Sequence, residues 1–279
     1  MVISKKEKLF KVILTIIFLI IGFTMLIPLL WMISTSLKFE VDVFKFPIQW
    51  IPERFNVIEN YKTVWGPDYQ FGLFYLNSIK VAIYATVFQV FVSAMGAYGF
   101  SKIQWPGRDK LFLLYIACLM IPNQITIISR FIILTEMGLY NTHLGLILTL
   151  VFSVYGVFLL KQSMMSIPDS ICESAKIDGA GHSRVFLQIM MPMSKPALAT
   201  LAILKFTMTW NDYQSPLVLL NSRHLFTIQL GMKMFASEAG NYYSLIMAAA
   251  VSAIVPLIIV FLIFQKQVVE GIATGAVKG

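Results

Sequence analysis

ESAKIDGAGHSRVFLQIMMPMSKP, residues 173–196, is the stretch on which the reading of this chain turns. It is too polar to lie in lipid and too regular to be a plain connection. Just before it, Ser166 is placed to cap a helix, Pro168 suits the first turn, and Asp169 three residues after Ser166 makes a capping-box-like spacing. The helix then carries Glu173, Ala175 and Ile177 and should stop at Gly179 and Gly181, since glycine accepts the left-handed backbone that a helix end often needs. Ser183 can open a second short helix bearing Val185, Phe186 and Ile189, closed by Pro192. The two helices meet at a tight Asp178-Gly179-Ala180 corner. Ile171, Ala175, Phe186 and Ile189 can pack them together, leaving Glu173 and Asp178 to face a partner's basic groups or to cap backbone amides. An amphipathic hairpin lying on a lipid surface reads the same pattern equally well.

Outward from this segment the sequence becomes apolar in both directions. The chain has 279 residues, of which 58% are hydrophobic and 13% charged. A soluble domain carries about 45–50% apolar and roughly 25% charged residues, so a water-soluble or disordered protein is excluded on both counts. A helix crossing the ~30 Å hydrocarbon core needs about 20 mostly apolar residues, because only a helix or a closed barrel satisfies its own backbone there. Six stretches qualify, at about residues 12–37, 77–101, 111–129, 142–160, 196–220 and 241–265. The first follows Lys5, Lys6, Lys8 and Lys11 and has no small-residue cleavage signature, so it reads as an uncleaved anchor. The expected fold class is therefore all-α and polytopic, with residues 161–195 as one long loop and 266–279 as a tail.

An even number of spans puts both termini on one side, and the charges say which. The N-terminus, the 102–110 and 161–195 loops and the tail hold 13 basic and 6 acidic residues, whereas the other three loops hold 8 and 7. Under the positive-inside rule both termini are expected in the cytoplasm. The formal charge of +8 is then a topology signal, and no nucleic-acid partner is expected. Cys118 and Cys172 have no metal or redox spacing, and His143, His182 and His224 fall in loops. No metal site is expected. GIATGAVKG at the end of the chain lacks the spacing of a phosphate-binding loop. If ATP powers this protein, another chain binds it.

The 173–196 segment resembles the EAA loop of ABC importer permeases. Glu173, Ala175, Gly179, Ile189 and Pro192 match that pattern in register, while Ser174 and Met191 depart from it conservatively. The likeness extends along the chain, through AYGFSKIQWPGRDKLF, IPNQITIISRFIILTEMGLYNT, TWNDYQSPLVLL and VEGIATGAVKG. Together these are similar to the smaller permease subunit of maltose-type carbohydrate importers. The resemblance implies a type I importer permease fold of the MetI-like kind, with six spans and the EAA loop between the fourth and fifth. It implies a bacterial cell membrane location, a second permease, two ATPase subunits that hold ATP and Mg, and an extracytoplasmic solute-binding protein. It also implies that Glu173 pairs with a basic group of the ATPase, with Asp178, Gly179 and Ala180 shaping the corner. The tail residues Val277, Lys278 and Gly279 would reach between the ATPase subunits. The chain itself would be a transporter subunit rather than an enzyme. The solute would be a sugar or oligosaccharide, or in the same kind of machine a glycerol phosphate, a polyol or an acidic oligosaccharide.

Two further places carry polar residues against the local pattern. In the fifth span, Asn211, Asp212, Tyr213 and Gln214 lie together, and an ionisable side chain at that depth costs ~2.5–3.5 kcal/mol on insertion scales unless it faces a cavity or partner. The cluster either lines the solute pathway or gate, or holds the span to its neighbours. Lys205, two turns earlier, is expected to snorkel to the cytoplasmic surface. The 38–80 loop, broken by Pro47, Pro52 and Pro67, carries Trp50, Phe55, Tyr61 and Trp65, and reads as a docking surface or a lid. An ion-coupled carrier or intramembrane enzyme would need paired carboxylates or a His-Glu-x-x-His helix, and the spans offer a single aspartate.

Overall fold

The computed structural model describes residues 5–276 apart from 239 and 241, and among these there is no strand. Val277, Lys278 and Gly279 lie outside the described residues. The helices are α1 Lys5–Ser36, α2 Val57–Trp65, α3 Phe71–Lys102, α4 Arg108–Ala117, α5 Asn123–Glu136, α6 His143–Val151, α7 Val154–Met165, α8 Asp169–Ile177, α9 His182–Val185, α10 Met191–Met193, α11 Lys195–Trp210, α12 Gln214–Leu219, α13 Ile228–Glu238 and α14 Tyr243–Ala276. Three of them, at Lys6–Ser36, Phe71–Lys102 and Tyr243–Gln265, are long and apolar enough to cross a membrane. Three bent pairs bring the number to six if each pair forms one span.

The bends have local causes. α4 and the short turn after it meet α5 at 99°. The break falls at Ile121-Pro122, where the proline forces its predecessor out of helical geometry; Ile121 is extended, with ψ 114°. α6 meets α7 at 45°, and the new helix is restarted by Ser153, whose Oγ accepts the Gly156 N–H at 3.0 Å. The helical segment His182–Met193 meets α11 at 78° around Ser194. The helices therefore run past the uncharged stretches of the sequence. Arg130, which the charge pattern leaves in a loop, sits within α5.

The chain divides into two compact units. The first comprises the segment through Phe71 and Met232–Ile254. Most of α1 is unpacked, with Phe18 and Leu19 each 67% exposed, as befits a helix solvated by lipid. Its C-terminal end is anchored: Ser34 donates to the Trp50 carbonyl at 2.6 Å, and Asn60 donates to the carbonyls of Ser36 and Lys38. Lys38 Nζ sits 4.5 Å over the Trp31 ring. Burial pushes the pKa of Lys38 down, against the opposing attraction of Asp42. Glu40 accepts the N–H groups of Tyr243 and Ser244 at 3.0 and 2.8 Å, and so caps α14. Trp50 and Trp65 of the 38–80 loop pack edge-on against Trp31 and Phe71.

The second unit, Gly72–Gly231 with the chain after Val255, holds both candidate sites. One apolar cluster joins Ala94, Ala97 and Tyr98 of α3 to Leu160 and Met164 of α7, Cys172 of α8 and Leu201 of α11. A second gathers Val81, Leu134, Leu146, Ile147 and Leu219. Gly231 lies directly beneath the Phe74 ring, which occupies the space a side chain would need. His143 is not a loop residue: it is buried in the first turn of α6, its ring Nε2 2.8 Å from the Leu225 carbonyl.

Candidate functional site

The 173–196 segment builds a rigid corner by local chemistry. α8 ends in a Schellman motif. The Gly179 N–H donates to the Lys176 carbonyl at 3.0 Å and the Ala180 N–H to the Ala175 carbonyl at 2.9 Å. Gly179 supplies the required φ of +79°. Beneath the corner, Cys172, Val185, Phe186 and Met190 are buried in the cluster shared with α3 and α7, and Ile171, Ala175 and Ala180 pack on its edge. The corner is thus seated on the helices that make up the spans.

Two details differ from the sequence reading. Ser166 does not cap α8: its hydroxyl bonds back to the Ser163 carbonyl and ends α7, and Pro168 precedes α8 with no side-chain cap. Pro192 does not close the second helix. The chain widens into a π turn at Phe186–Met190 and continues through Pro192 to Met193. The wider turn accommodates the missing N–H and the bulk of the ring, which would break a regular helix.

Ala175, Asp178, Ala180 and Ile189 line a shallow pocket of about 230 Å³ together with Arg184 and Gln188. Arg184 donates to Gln188 at 3.0 Å. Glu173 and Pro192 are exposed outside that pocket. Sequence reasoning missed Arg184 and Gln188, although their i, i+4 spacing places them on one face of the second helix. A tie absent from the sequence pattern fixes the start of α8: Lys102 Nζ, only 4% exposed, reaches Asp169 Oδ1 at 2.5 Å and the Ile167 carbonyl at 2.6 Å. The bond from Lys102 and its charge hold the Asp169 carboxyl below the ordinary carboxylate value.

The polar residues of the fifth span do not lie within a continuous helix. α11 ends at Trp210, and α12 starts at Gln214. The Asp212 carboxylate accepts the Ser215 N–H at 3.0 Å, satisfying one of the amides left open by the break. Asn211 turns away, donating to the Thr207 carbonyl and accepting from Gln229. Asp212 and Gln214 line a cavity of about 750 Å³, whereas Asn211 and Tyr213 are not among its walls. Lys205 does not lead away to the surface: it lines this same cavity, as does Arg130 of α5. Lys205 and Thr209 share a face of α11 by their i, i+4 spacing, and Asp212 joins them on the cavity wall just beyond the end of that helix. Arg130 was hidden because the uncharged stretch ends just before it.

An all-helical chain with up to six spans, a rigid corner outside them and a polar cavity at their breaks has the layout of a membrane transport subunit. The model of the binding-protein-dependent transport system inner membrane component family matches residues 89–274, and the chain belongs to that family. It is 28% identical to the arabinooligosaccharides transport system permease protein AraQ of Bacillus subtilis (strain 168), covering 99% of both chains. It is 31% identical to the sn-glycerol-3-phosphate transport system permease protein UgpE of Yersinia pestis bv. Antiqua (strain Antiqua), covering 92% of this chain and 94% of that one. The fold matches a crystal structure of a bacterial ABC transporter involved in the import of the acidic polysaccharide alginate. The TM-score is 0.83 at 23% identity, over 95% of this chain and 99% of that one. This protein is a multi-pass ABC-importer permease subunit.

Proposed function

We propose that this chain works as one of two permease subunits of an ATP-driven importer in a bacterial cell membrane, both its termini cytoplasmic, taking up a sugar or oligosaccharide handed over by an extracytoplasmic binding protein. ATP and Mg are held by two separate ATPase subunits, which dock on the corner formed by Glu173, Ala175, Asp178, Gly179, Ala180, Ile189 and Pro192. The observation that carries this reading is a small exposed corner whose inner face is buried among α3, α7 and α11. A load applied to such a corner moves the spans as a rigid body, which is how ATPase closure can be passed to the membrane. Glu173 stands free on its outer face, available to a basic group. The relatives point to carbohydrate and related hydroxylated solutes, from arabinooligosaccharides to sn-glycerol-3-phosphate. The tail, with Val277, Lys278 and Gly279, is proposed as a second ATPase contact.

The test is to co-purify the complex carrying Glu173→Lys or Gly179→Asp and measure ATPase activity stimulated by the binding protein. Both variants should assemble in the membrane, with stimulation and transport lost. Wild-type stimulation and transport in both would refute the docking role.

A further inference from the structure

We infer that the cavity lined by Arg130, Lys205 and Asp212 receives the carboxylate or phosphate of an acidic carbohydrate in transit. The inference rests on the importer reading and adds to it the charge class of the cargo.

The argument starts from depth. Lys205 lies ten residues into α11 from Lys195, about 15 Å along the axis at a rise of 1.5 Å per residue, inside a segment apolar enough, with its bent partner, to form a span. A cation there is expensive unless it faces a cavity or a counter-charge. The cavity is present, but the counter-charge inside the chain is incomplete. The charge-bearing side chains on its wall are two basic groups, Arg130 and Lys205, and one carboxylate, Asp212. Among the described residues, neither Lys205 nor Arg130 forms an ion pair. Arg130 donates to the neutral amide of Asn123 at 3.2 Å, leaving most of its guanidinium fork uncommitted. Asp212 spends one oxygen on the Ser215 N–H, where it holds the helix break. The net field is therefore positive and aimed into about 750 Å³, within the roughly 300–1,000 Å³ range of small-molecule sites.

The rest of the wall suits a sugar. Gln214, Thr149 and Ser153 offer partners for hydroxyls, and Tyr155 offers a ring face. A guanidinium and an ammonium match a carboxylate or phosphate by charge-assisted bonds. The single opposing carboxylate keeps the net charge low enough for cargo to leave, as a conducting site requires. Neutral oligosaccharides would offer these cations hydroxyl acceptors but no counter-charge.

The test uses the whole importer, with its second permease, ATPase subunits and binding protein, in liposomes of uncharged phosphatidylcholine, so that no anionic headgroup can occupy the cavity. The binding protein is first titrated with maltotriose, trigalacturonate and glycerol 3-phosphate, and ATP-driven uptake of each is then measured. Uptake of trigalacturonate or glycerol 3-phosphate in preference to maltotriose supports the inference, and the anion that is taken up tells carboxylate from phosphate. Lys205→Met and Arg130→Gln should each slow uptake of that anion by about tenfold or more, the loss expected for one charge-assisted bond. Lys205→Arg should retain most of the rate, and the yield of assembled complex should match the wild type in all three variants. Preferred uptake of maltotriose overturns the inference and leaves the importer reading standing. So does loss of complex yield in Lys205→Met with Lys205→Arg no better, which would assign the charge to subunit packing. A binding protein that takes none of the three, with no ATP-driven uptake, counts against the carbohydrate reading itself.

Discussion

The corner at residues 173–192 and the cavity at the end of α11 both interrupt helices, yet they are built on opposite principles. At the corner the end of α8 is closed locally, by the Schellman bonds of Gly179 and Ala180, and the inner face is buried around Met190. At the cavity the break is bridged by a side chain, the Asp212 carboxylate accepting the Ser215 N–H, and charged groups line the open volume. The first arrangement resists deformation and can carry a load between proteins. The second leaves polar capacity unspent and can exchange partners. On the proposed reading, rigidity at the corner suits a part that is pushed, and unsatisfied polarity at the cavity suits a part that is traversed.

The sharpest way to break this contrast is to hollow out the rigid part. Met190 is fully buried beneath the corner, and Met190→Ala should cost ~2–5 kcal/mol through lost contacts and a residual cavity. Thermal unfolding of the purified complex in detergent should show the loss. Stability held within about 0.5 kcal/mol would mean that the cluster yields and the corner is not a rigid seat. Backbone geometry is the next lever. Gly179→Ala puts a side chain at φ +79°, and although nothing lies within 4 Å of the new Cβ, the left-handed conformation alone should cost about 1–2 kcal/mol. Because the space is open, the loss reports backbone strain rather than collision.

At the cavity the expected effects are smaller and separable. Asp212→Ala removes the acceptor for Ser215 N–H and should cost ~1 kcal/mol, as for a lost helix cap. Asp212→Asn keeps an acceptor and should recover most of it, while making the cavity more positive. Equal losses in the two variants would show that the charge, not the bond, holds the break.

The same contrast explains what the sequence could disclose. The corner was legible because its determinants are neighbours: glycines, a proline and alternating apolar residues within two dozen positions, each acting through local backbone chemistry. Apolar length likewise announced the three long helices, since lipid imposes one requirement on every helix. The helix breaks were harder. Pro122 and Pro192 look alike in sequence, yet one sits at a 99° bend and the other follows a π turn and stays within the helical segment. The cavity was hardest, because Arg130 and Lys205 meet only after α5 and α11 are placed. Each charge, taken singly, has a bland reading as a loop residue or a snorkelling lysine. The Lys102–Asp169 tie was illegible for the same reason.

That tie gives the finest comparison, since it is an ionic restraint at the start of α8. Asp169 is largely exposed while Lys102 is buried, so solvent screens the pair and its worth should stay at about 0–1 kcal/mol. The sign follows from the carboxyl's lowered folded-state pKa. The unfolded chain takes up the proton more readily, so stabilisation is fully present above the ordinary value of 3.8 and fades as pH falls through the lower folded value. Between pH 5 and 8 the wild type and Asp169→Asn should differ by a constant small amount in unfolding temperature, and the gap should close only in more acidic solution. A gap that opens or closes within pH 5–8 would show that the Lys102–Asp169 pair is not its source.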